Sequence, residues 1–186
     1  MIAPDPGTID VDVHPTVPGV AALLPYMPEH WRDMVTQRGV HELDSISYPN
    51  NAPITARPDW RGSDGRPATS PKQLREQALA PFGTRLAILN CLYGVQLLFS
   101  EDMAAAYASA VNDWIAREWL DPEPRLRASI VVASQSPELA VAEIERCAAD
   151  RRFVQVLLLV SGETPLGRRQ HWPIYEAAAR HDLPVG

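Results

Sequence analysis

The feature that most constrains the fold is a regular alternation of apolar strands and amphipathic helices from residue 84 onward. Short apolar runs predict strands at 85–90, 127–133 and 153–160, and the start of another at 184. The run "FVQVLLLV" (153–160) is almost continuously apolar, which is typical of a strand covered on both faces. Strands joined through helices by short connections pair in parallel. The sequence therefore predicts an α/β fold built from βαβ units.

The helices of this alternation begin at recognisable capping residues. Ser100 precedes two acidic residues, which the positive end of a helix dipole favours. Ser136 is followed by Pro137, a residue well suited to the first helical turn. A third helix is predicted over "WPIYEAAARH" (172–181). These helices provide the crossovers that a parallel sheet requires.

Composition excludes several classes of function. The 186 residues are enough for one domain with a sizeable core, and residues 1–186 are predicted to form a single one. The net charge of -6 argues against nucleic acid as a partner, because phosphate binding needs a basic face. No run approaches the roughly 20 apolar residues of a membrane span. Two cysteines are too few for a disulfide framework, and no signal peptide is recognisable. We expect a cytoplasmic protein with neither a nucleic-acid nor a membrane partner.

The first predicted strand, at 8–14 within "GTIDVDVHP", carries ionisable residues at every second position. Since side chains alternate along a strand, Asp10, Asp12 and His14 are predicted to share one face, with three apolar residues on the other. In parallel α/β folds, ligands bind beyond the carboxyl ends of the strands. The end of this strand is therefore the predicted functional site.

Three interpretations of this strand compete. An aspartate and a histidine near a strand end can simply satisfy each other's hydrogen bonds. A carboxylate and an imidazole two residues apart can also lean onto one divalent metal ion, with further ligands from other strands. Finally, "DVDVH" is similar to the D-x-D motif of haloacid-dehalogenase-like phosphatases, in which Asp10 would be the nucleophile and Asp12 the acid/base.

Other candidate site residues lie in loops. Residues 15–80 break the alternation, are rich in Pro, Asn, Asp and Gly, and are predicted to be a long insertion with two helical stretches. Arginine pairs with carboxylates through two parallel hydrogen bonds, so this insertion offers a clamp for an acidic substrate, although a solvated loop is the simpler interpretation. The low-priority substrate-binding candidates are Arg57, Trp60 and Arg61 in the insertion, Asn90 and Tyr93 after the second strand, and His171 before the last helix.

The sequence ends in "HDLPVG", which has the pattern of a helix exit followed by the first residues of a buried strand. We expect it to be the N-terminal part of a longer chain.

With these motifs in hand, the sequence resembles the amidohydrolase-related proteins of the aminocarboxymuconate-semialdehyde decarboxylase type, which are metal-dependent (β/α)₈ barrels. Their first strand reads D-x-H-x-H or D-x-[ED]-x-H, and here it is Asp10-Val11-Asp12-Val13-His14. The resemblance implies that Asp12 and His14 are metal ligands. The segment "WPIYEAAARHDLPVG" (172–186) resembles the family's fourth helix and entry to its fifth strand, after which relatives supply the next ligand, a histidine.

The resemblance implies an α/β fold that is the N-terminal part of a (β/α)₈ TIM barrel, with strands 1–4, the start of strand 5 and a long insertion (15–80) after strand 1. It implies a metal-dependent hydrolase or decarboxylase acting on a small organic acid, with one divalent ion, zinc or manganese. The predicted fourth strand has no lysine to bridge two metals, so a mononuclear site follows. Activity is expected to need the longer chain. A homo-oligomer of that chain is one expected state. The alternatives are the phosphatase above and a non-catalytic fragment or binding protein.

Overall fold

The computed structural model describes residues 7–41, 43, 56–62, 65–160 and 164–186. In this part of the chain four strands alternate with helices. The strands are β1 (Ile9–Val13), β2 (Leu86–Leu89), β3 (Leu126–Val131) and β4 (Phe153–Leu157). The helices are α1 (Glu29–Gln37), α2 (Pro71–Leu74), α3 (Glu101–Trp114), α4 (Pro137–Cys147) and α5 (Trp172–Arg180). Wider π-helical turns extend α2 through Arg75–Leu79 and α3 through Ile115–Leu120.

The strands form one parallel sheet in the order β1-β2-β3-β4. Each predicted strand is present, and the strand predicted to start at 184 begins beside β4, where Val185 pairs in parallel with Val156. The Leu158 N–H donates to the Gly186 carbonyl at 2.8 Å, which continues this pairing. The predicted α/β fold with a parallel sheet in sequence order is confirmed.

The face of the sheet that meets the helices is apolar and fully buried. The side chains of β2 and β3 on this face are each 0% exposed. They are Ala87, Leu89, Leu126, Ala128 and Ile130. The helices α3, α4 and α5 bring their own buried stripes onto this face, and the π-helical end of α3 adds Trp119. Burial of this much apolar surface is the main force that fixes the helices to the sheet.

The amino-terminal end of the sheet is closed by a buried ion cluster, which we call the Glu123 cluster (Glu123, Arg75 and Arg125). The Glu123 side chain is 4% exposed and accepts hydrogen bonds from the Nε of both arginines at 2.8 Å. These bonds, first of all those from Arg125, lower the pKa of Glu123 from its ordinary value of 4.5 to about 2. The cluster ties the end of α2 to the start of β3.

The segment 15–80 is built from short turns and helices and packs against α3. Two 3₁₀ turns, Val20–Ala22 and Leu24–Tyr26, lead into α1, and the Thr16 N–H donates to the Ala68 carbonyl at 2.8 Å. Residues 42, 44–55 and 63–64 of this segment lie outside the described residues. Within the described ones, no helix has the length and apolar character needed to cross a membrane.

Candidate metal centre

Asp12 and His14 lie together at the carboxyl end of β1. The Nε2 atom of His14 is 3.4 Å from Oδ1 of Asp12, and the two side chains are 25% and 73% exposed. Both side chains are therefore within reach of solvent and of a solute. The structure thus brings these two predicted site residues into direct contact with each other.

The hydrogen bonds of His14 define its tautomer. Its Nδ1 lies 3.0 Å from the backbone carbonyl of Asn90, which can only accept a hydrogen bond. In the neutral ring Nδ1 therefore carries the proton, and the lone pair is on Nε2, the atom that faces Asp12. A backbone carbonyl that holds the far nitrogen in this way is the usual support for a metal-binding histidine.

A β-bulge separates Asp10 from this pair. By register Asp10 is opposite Ala87, whereas Val13 is opposite Leu89, so three residues of β1 span two of β2. Asp10 thus falls in a row of the helix-facing side, and its Oδ1 accepts the Asp12 backbone N–H at 3.1 Å. The prediction that Asp10 shares a face with Asp12 and His14 is wrong, because strict alternation assumes an unbroken ladder.

Asn90 joins β1 to β2 at the bulge through both its backbone and its side chain. Its backbone N–H donates to the Val13 carbonyl at 2.7 Å. Its side-chain Nδ2 donates to the Val11 carbonyl at 3.0 Å and to Oδ1 of Asp12 at 3.2 Å. Asn90 therefore touches both members of the Asp12–His14 pair, one through its side chain and the other through its carbonyl.

Sequence reasoning missed two further polar residues behind Asn90. The Ser129 hydroxyl donates to Oδ1 of Asn90 at 2.5 Å, and Nε2 of Gln155 donates to the same oxygen at 3.0 Å and to Oγ of Ser129 at 2.6 Å. Ser129 lies opposite Gln155 in the β3–β4 register. The signal in the sequence is a polar residue in the middle of a largely apolar strand, Ser129 in β3 and Gln155 in β4.

A cavity of about 680 Å³ runs along the open edge of β1. Its lining includes Asp10, Asp12 and His14 of the β1 segment together with Arg57, Trp60 and Phe82. Arg57 binds Asp59 through two hydrogen bonds of 3.0 and 2.6 Å and stacks over Trp60, with its guanidinium carbon 5.2 Å from the ring centre. Arg57 and Trp60 thus share one cavity with the metal-ligand candidates.

The remaining candidates lie elsewhere. Arg61 forms an antiparallel bridge with Pro67, and Tyr93 is buried with its ring 6.5 Å from that of Tyr107. His171 is also buried and lies within hydrogen-bond distance of the Thr164 hydroxyl, 3.1 Å from its Nε2. It lines a second cavity of about 340 Å³ at the loops that follow β2, β3 and β4. A role for these three in substrate binding stays a prediction.

The donor set at the end of β1 fits a divalent metal ion. The Nε2–Oδ1 distance of 3.4 Å is short enough for both atoms to reach one divalent ion at ordinary ligand distances of about 2.0–2.2 Å. Among the described residues no lysine or arginine is paired with Asp12 or Asp10, so no fixed cation offsets these carboxylates. The same residues contain no cluster of three or more potential metal ligands.

This fold and this strand-end pair define a class of protein. The family model described as amidohydrolase matches residues 9–186, and the chain belongs to that family. The resemblance seen in the sequence is thereby confirmed, and the phosphatase alternative based on Asp10 and Asp12 has no support.

Relatives narrow the class further. The chain is 30% identical over 99 residues to the gamma-resorcylate decarboxylase of Polaromonas sp., an alignment that covers 48% of this chain and 30% of that protein. It superposes on 2,6-dihydroxybenzoate decarboxylase from Rhizobium with a TM-score of 0.65, 20% identity and coverage of 96% of this chain and 48% of the other. For 5-carboxyvanillate decarboxylase from Novosphingobium aromaticivorans, complexed with manganese, the TM-score is 0.68, with 20% identity and 96% and 49% coverage.

These superpositions confirm the predicted barrel architecture. The chain spans about half the length of the solved structures that it matches. It corresponds to a half-barrel of four strands and the start of a fifth, with Asp12 and His14 at the end of the first strand.

Proposed function

We propose that this chain forms the metal-binding first half of a decarboxylase that acts on a hydroxylated aromatic acid. The observation that carries the proposal is the Asp12–His14 pair, whose lone-pair-bearing atoms face each other at 3.4 Å at the end of β1. The names of the relatives support a carboxy-lyase over a hydrolase, because those named here are decarboxylases of dihydroxybenzoate or carboxyvanillate type. Manganese in three of the related structures supports that ion over zinc.

In this proposal Asp12 and His14 hold the ion, and the Asn90 carbonyl holds the imidazole in the tautomer that can bind it. A divalent ion at this position supplies positive charge that stabilises the negative charge left on the substrate as CO₂ departs. The proposed binding surface is the part of the cavity along β1 that lies beside Asp12 and His14, because the edge of β1 itself pairs with a further strand when a barrel closes. The aromatic side chains of the cavity, Trp60 and Phe82, provide apolar area for a ring, and Arg57 is the candidate partner for a substrate carboxylate. A cytoplasmic location belongs to the proposal and is supported by the two cysteines, which are buried free thiols.

The test is metal content and turnover in a protein that contains this chain, with Asp12 and His14 both replaced by alanine. The unaltered protein is expected to bind about one equivalent of Mn²⁺ and to release CO₂ from 2,6-dihydroxybenzoate. The double variant is expected to lose both properties. Metal is measured by elemental analysis after dialysis, and CO₂ release by a coupled assay.

The chain offers a matched control. His30 and Asp33 are an exposed histidine and aspartate on α1, away from the β1 edge. Their double replacement by alanine makes the same chemical change and is expected to leave metal content and turnover intact. Metal content that persists in the Asp12→Ala/His14→Ala protein would refute the proposed centre.

A further inference from the structure

We propose that Asn90 is a positioning residue of the metal centre and that Ser129 and Gln155 act through it. The inference rests on the proposed function, because it concerns how the Asp12–His14 pair is held ready for an ion. Its basis is a chain of hydrogen bonds that crosses all four strands of the sheet, from Gln155 on β4 to Asp12 on β1.

The need for a positioning residue follows from the exposure of Asp12. Its side chain is 73% exposed, so solvent alone would leave the carboxylate free to rotate. The N–H of Asn90 Nδ2, 3.2 Å from Oδ1, holds the oxygen that faces His14. On the other ligand, the Asn90 carbonyl holds the imidazole. One residue thus fixes both halves of the pair.

The orientation of the Asn90 amide is itself determined. On one side its Nδ2 meets two acceptors, the Val11 carbonyl and the Asp12 carboxylate. On the other side its Oδ1 meets two donors, the Ser129 hydroxyl and the Gln155 amide. A flipped amide would place oxygen against oxygen at the first side and N–H against N–H at the second, so only one orientation satisfies the buried groups.

The donors of this network all point the same way. The Gln155 N–H donates to the Ser129 oxygen, the Ser129 O–H to the Asn90 oxygen and the Asn90 N–H to the Asp12 carboxylate. Successive bonds in such a chain polarise one another, and here the chain ends on an anion. Ser129 is fully buried, so its hydroxyl has no competing water. The network therefore holds Asp12 more firmly than one amide contact would.

The Gln155 end of the network lies close to Gly186. A side-chain carbon added at Gly186 would lie 3.2 Å from Nε2 of Gln155, closer than most such contacts. Glycine at this position therefore leaves room for the Gln155 amide to lie across the sheet toward Ser129 and Asn90.

The experiment compares Mn²⁺ affinity in a protein that contains this chain with the variants Asn90→Ala and Ser129→Ala and with the two combined. Free and bound Mn²⁺ are measured by electron paramagnetic resonance. Asn90→Ala is expected to raise the Kd about 10- to 100-fold, and Ser129→Ala by a smaller factor. If Ser129 acts through Asn90, the double variant has the Kd of Asn90→Ala alone. The resonance of the bound ion is also expected to change shape in Asn90→Ala, because one ligand is less firmly held.

Ser134→Ala is the matched control, since Ser134 is also buried but lies in the loop after β3, lining the second cavity. It is expected to change neither the Kd nor the resonance.

A Kd within about twofold of the unaltered protein in both Asn90→Ala and Ser129→Ala would overturn the inference while leaving the metal centre intact. Additive effects of the two would also overturn it. If the unaltered protein binds no Mn²⁺, the proposed function itself fails. Circular dichroism checks folding, and if Asn90→Ala does not fold, Ser129→Ala decides.

Discussion

The two ends of the sheet carry buried polar clusters with opposite electrostatic designs. At the amino-terminal end, the Glu123 cluster places one buried carboxylate between two arginines. At the carboxyl end, Asn90, Ser129 and Gln155 hold Asp12 with neutral groups alone. Both clusters satisfy their hydrogen bonds, but only the first neutralises its negative charge internally.

The difference separates a stabilising role from a functional one. A carboxylate paired with fixed cations contributes to folding and has no capacity left for a ligand. A carboxylate held by neutral donors keeps its charge available, so an added cation is what completes the site. In βα-barrels the amino-terminal ends of the strands serve stability and the carboxyl ends serve function, and this chain shows that division in its charges.

The largest effect is expected at the amino-terminal end. Glu123→Gln leaves two arginines without their carboxylate and is expected to lower the free energy of unfolding by about 2–3 kcal/mol, because the carboxylate is buried while the arginines are partly exposed. Urea unfolding followed by circular dichroism measures it. Glu76→Gln is the control, because Glu76 is exposed and its ion pair with Lys72 is long, at 4.0 Å. It is expected to cost less than about 0.5 kcal/mol. Equal effects of the two substitutions would erase the distinction.

The second effect is a pH dependence from the same cluster. Because the pKa of Glu123 is lowered from 4.5 to about 2 in the folded protein, its contribution is complete above pH 4.5 and is lost as the pH falls toward 2. The contribution is roughly 3 kcal/mol for a shift of this size in a buried group. The difference in unfolding free energy between the unaltered protein and Glu123→Gln is therefore expected to shrink over this range. A difference that stays constant down to pH 2 would contradict the assignment.

The smallest effect is expected at the carboxyl end. Asp12→Asn removes a charge that no described cation balances, so in metal-free protein it is expected to change the free energy of unfolding by less than about 0.5 kcal/mol. With Mn²⁺ present, the unaltered protein should gain stability through binding and the variant should not. Thermal unfolding with and without Mn²⁺ measures both. A large loss in metal-free Asp12→Asn would show that this end also serves stability.

The alternation of strands and helices was predictable because each element has its own apolar period, as in the fully buried rows of β2 and β3. That Asp12 and His14 lie together could be predicted because they are two residues apart at the carboxyl end of one strand; their role as metal ligands stays a prediction. The face of Asp10 could not be predicted, since a bulge depends on how two strands pair and not on one strand's pattern. Ser129 and Gln155 were missed because their role depends on Asn90, which is distant in sequence and adjacent only in the sheet.

The bulge in β1 also affects how this strand can change during evolution. A substitution between Asp10 and Val13 alters one side chain, but loss of a single codon there would restore two residues against two. The residues before the deletion would then face the opposite side of the sheet relative to Asp12 and His14. Alternatively, Asp12 and His14 would themselves move to the helix-facing side. The length of this short stretch is therefore under as strict a constraint as its residues. When homologous first strands are aligned, a gap at this point marks an inverted face and not a harmless trimming of a loop.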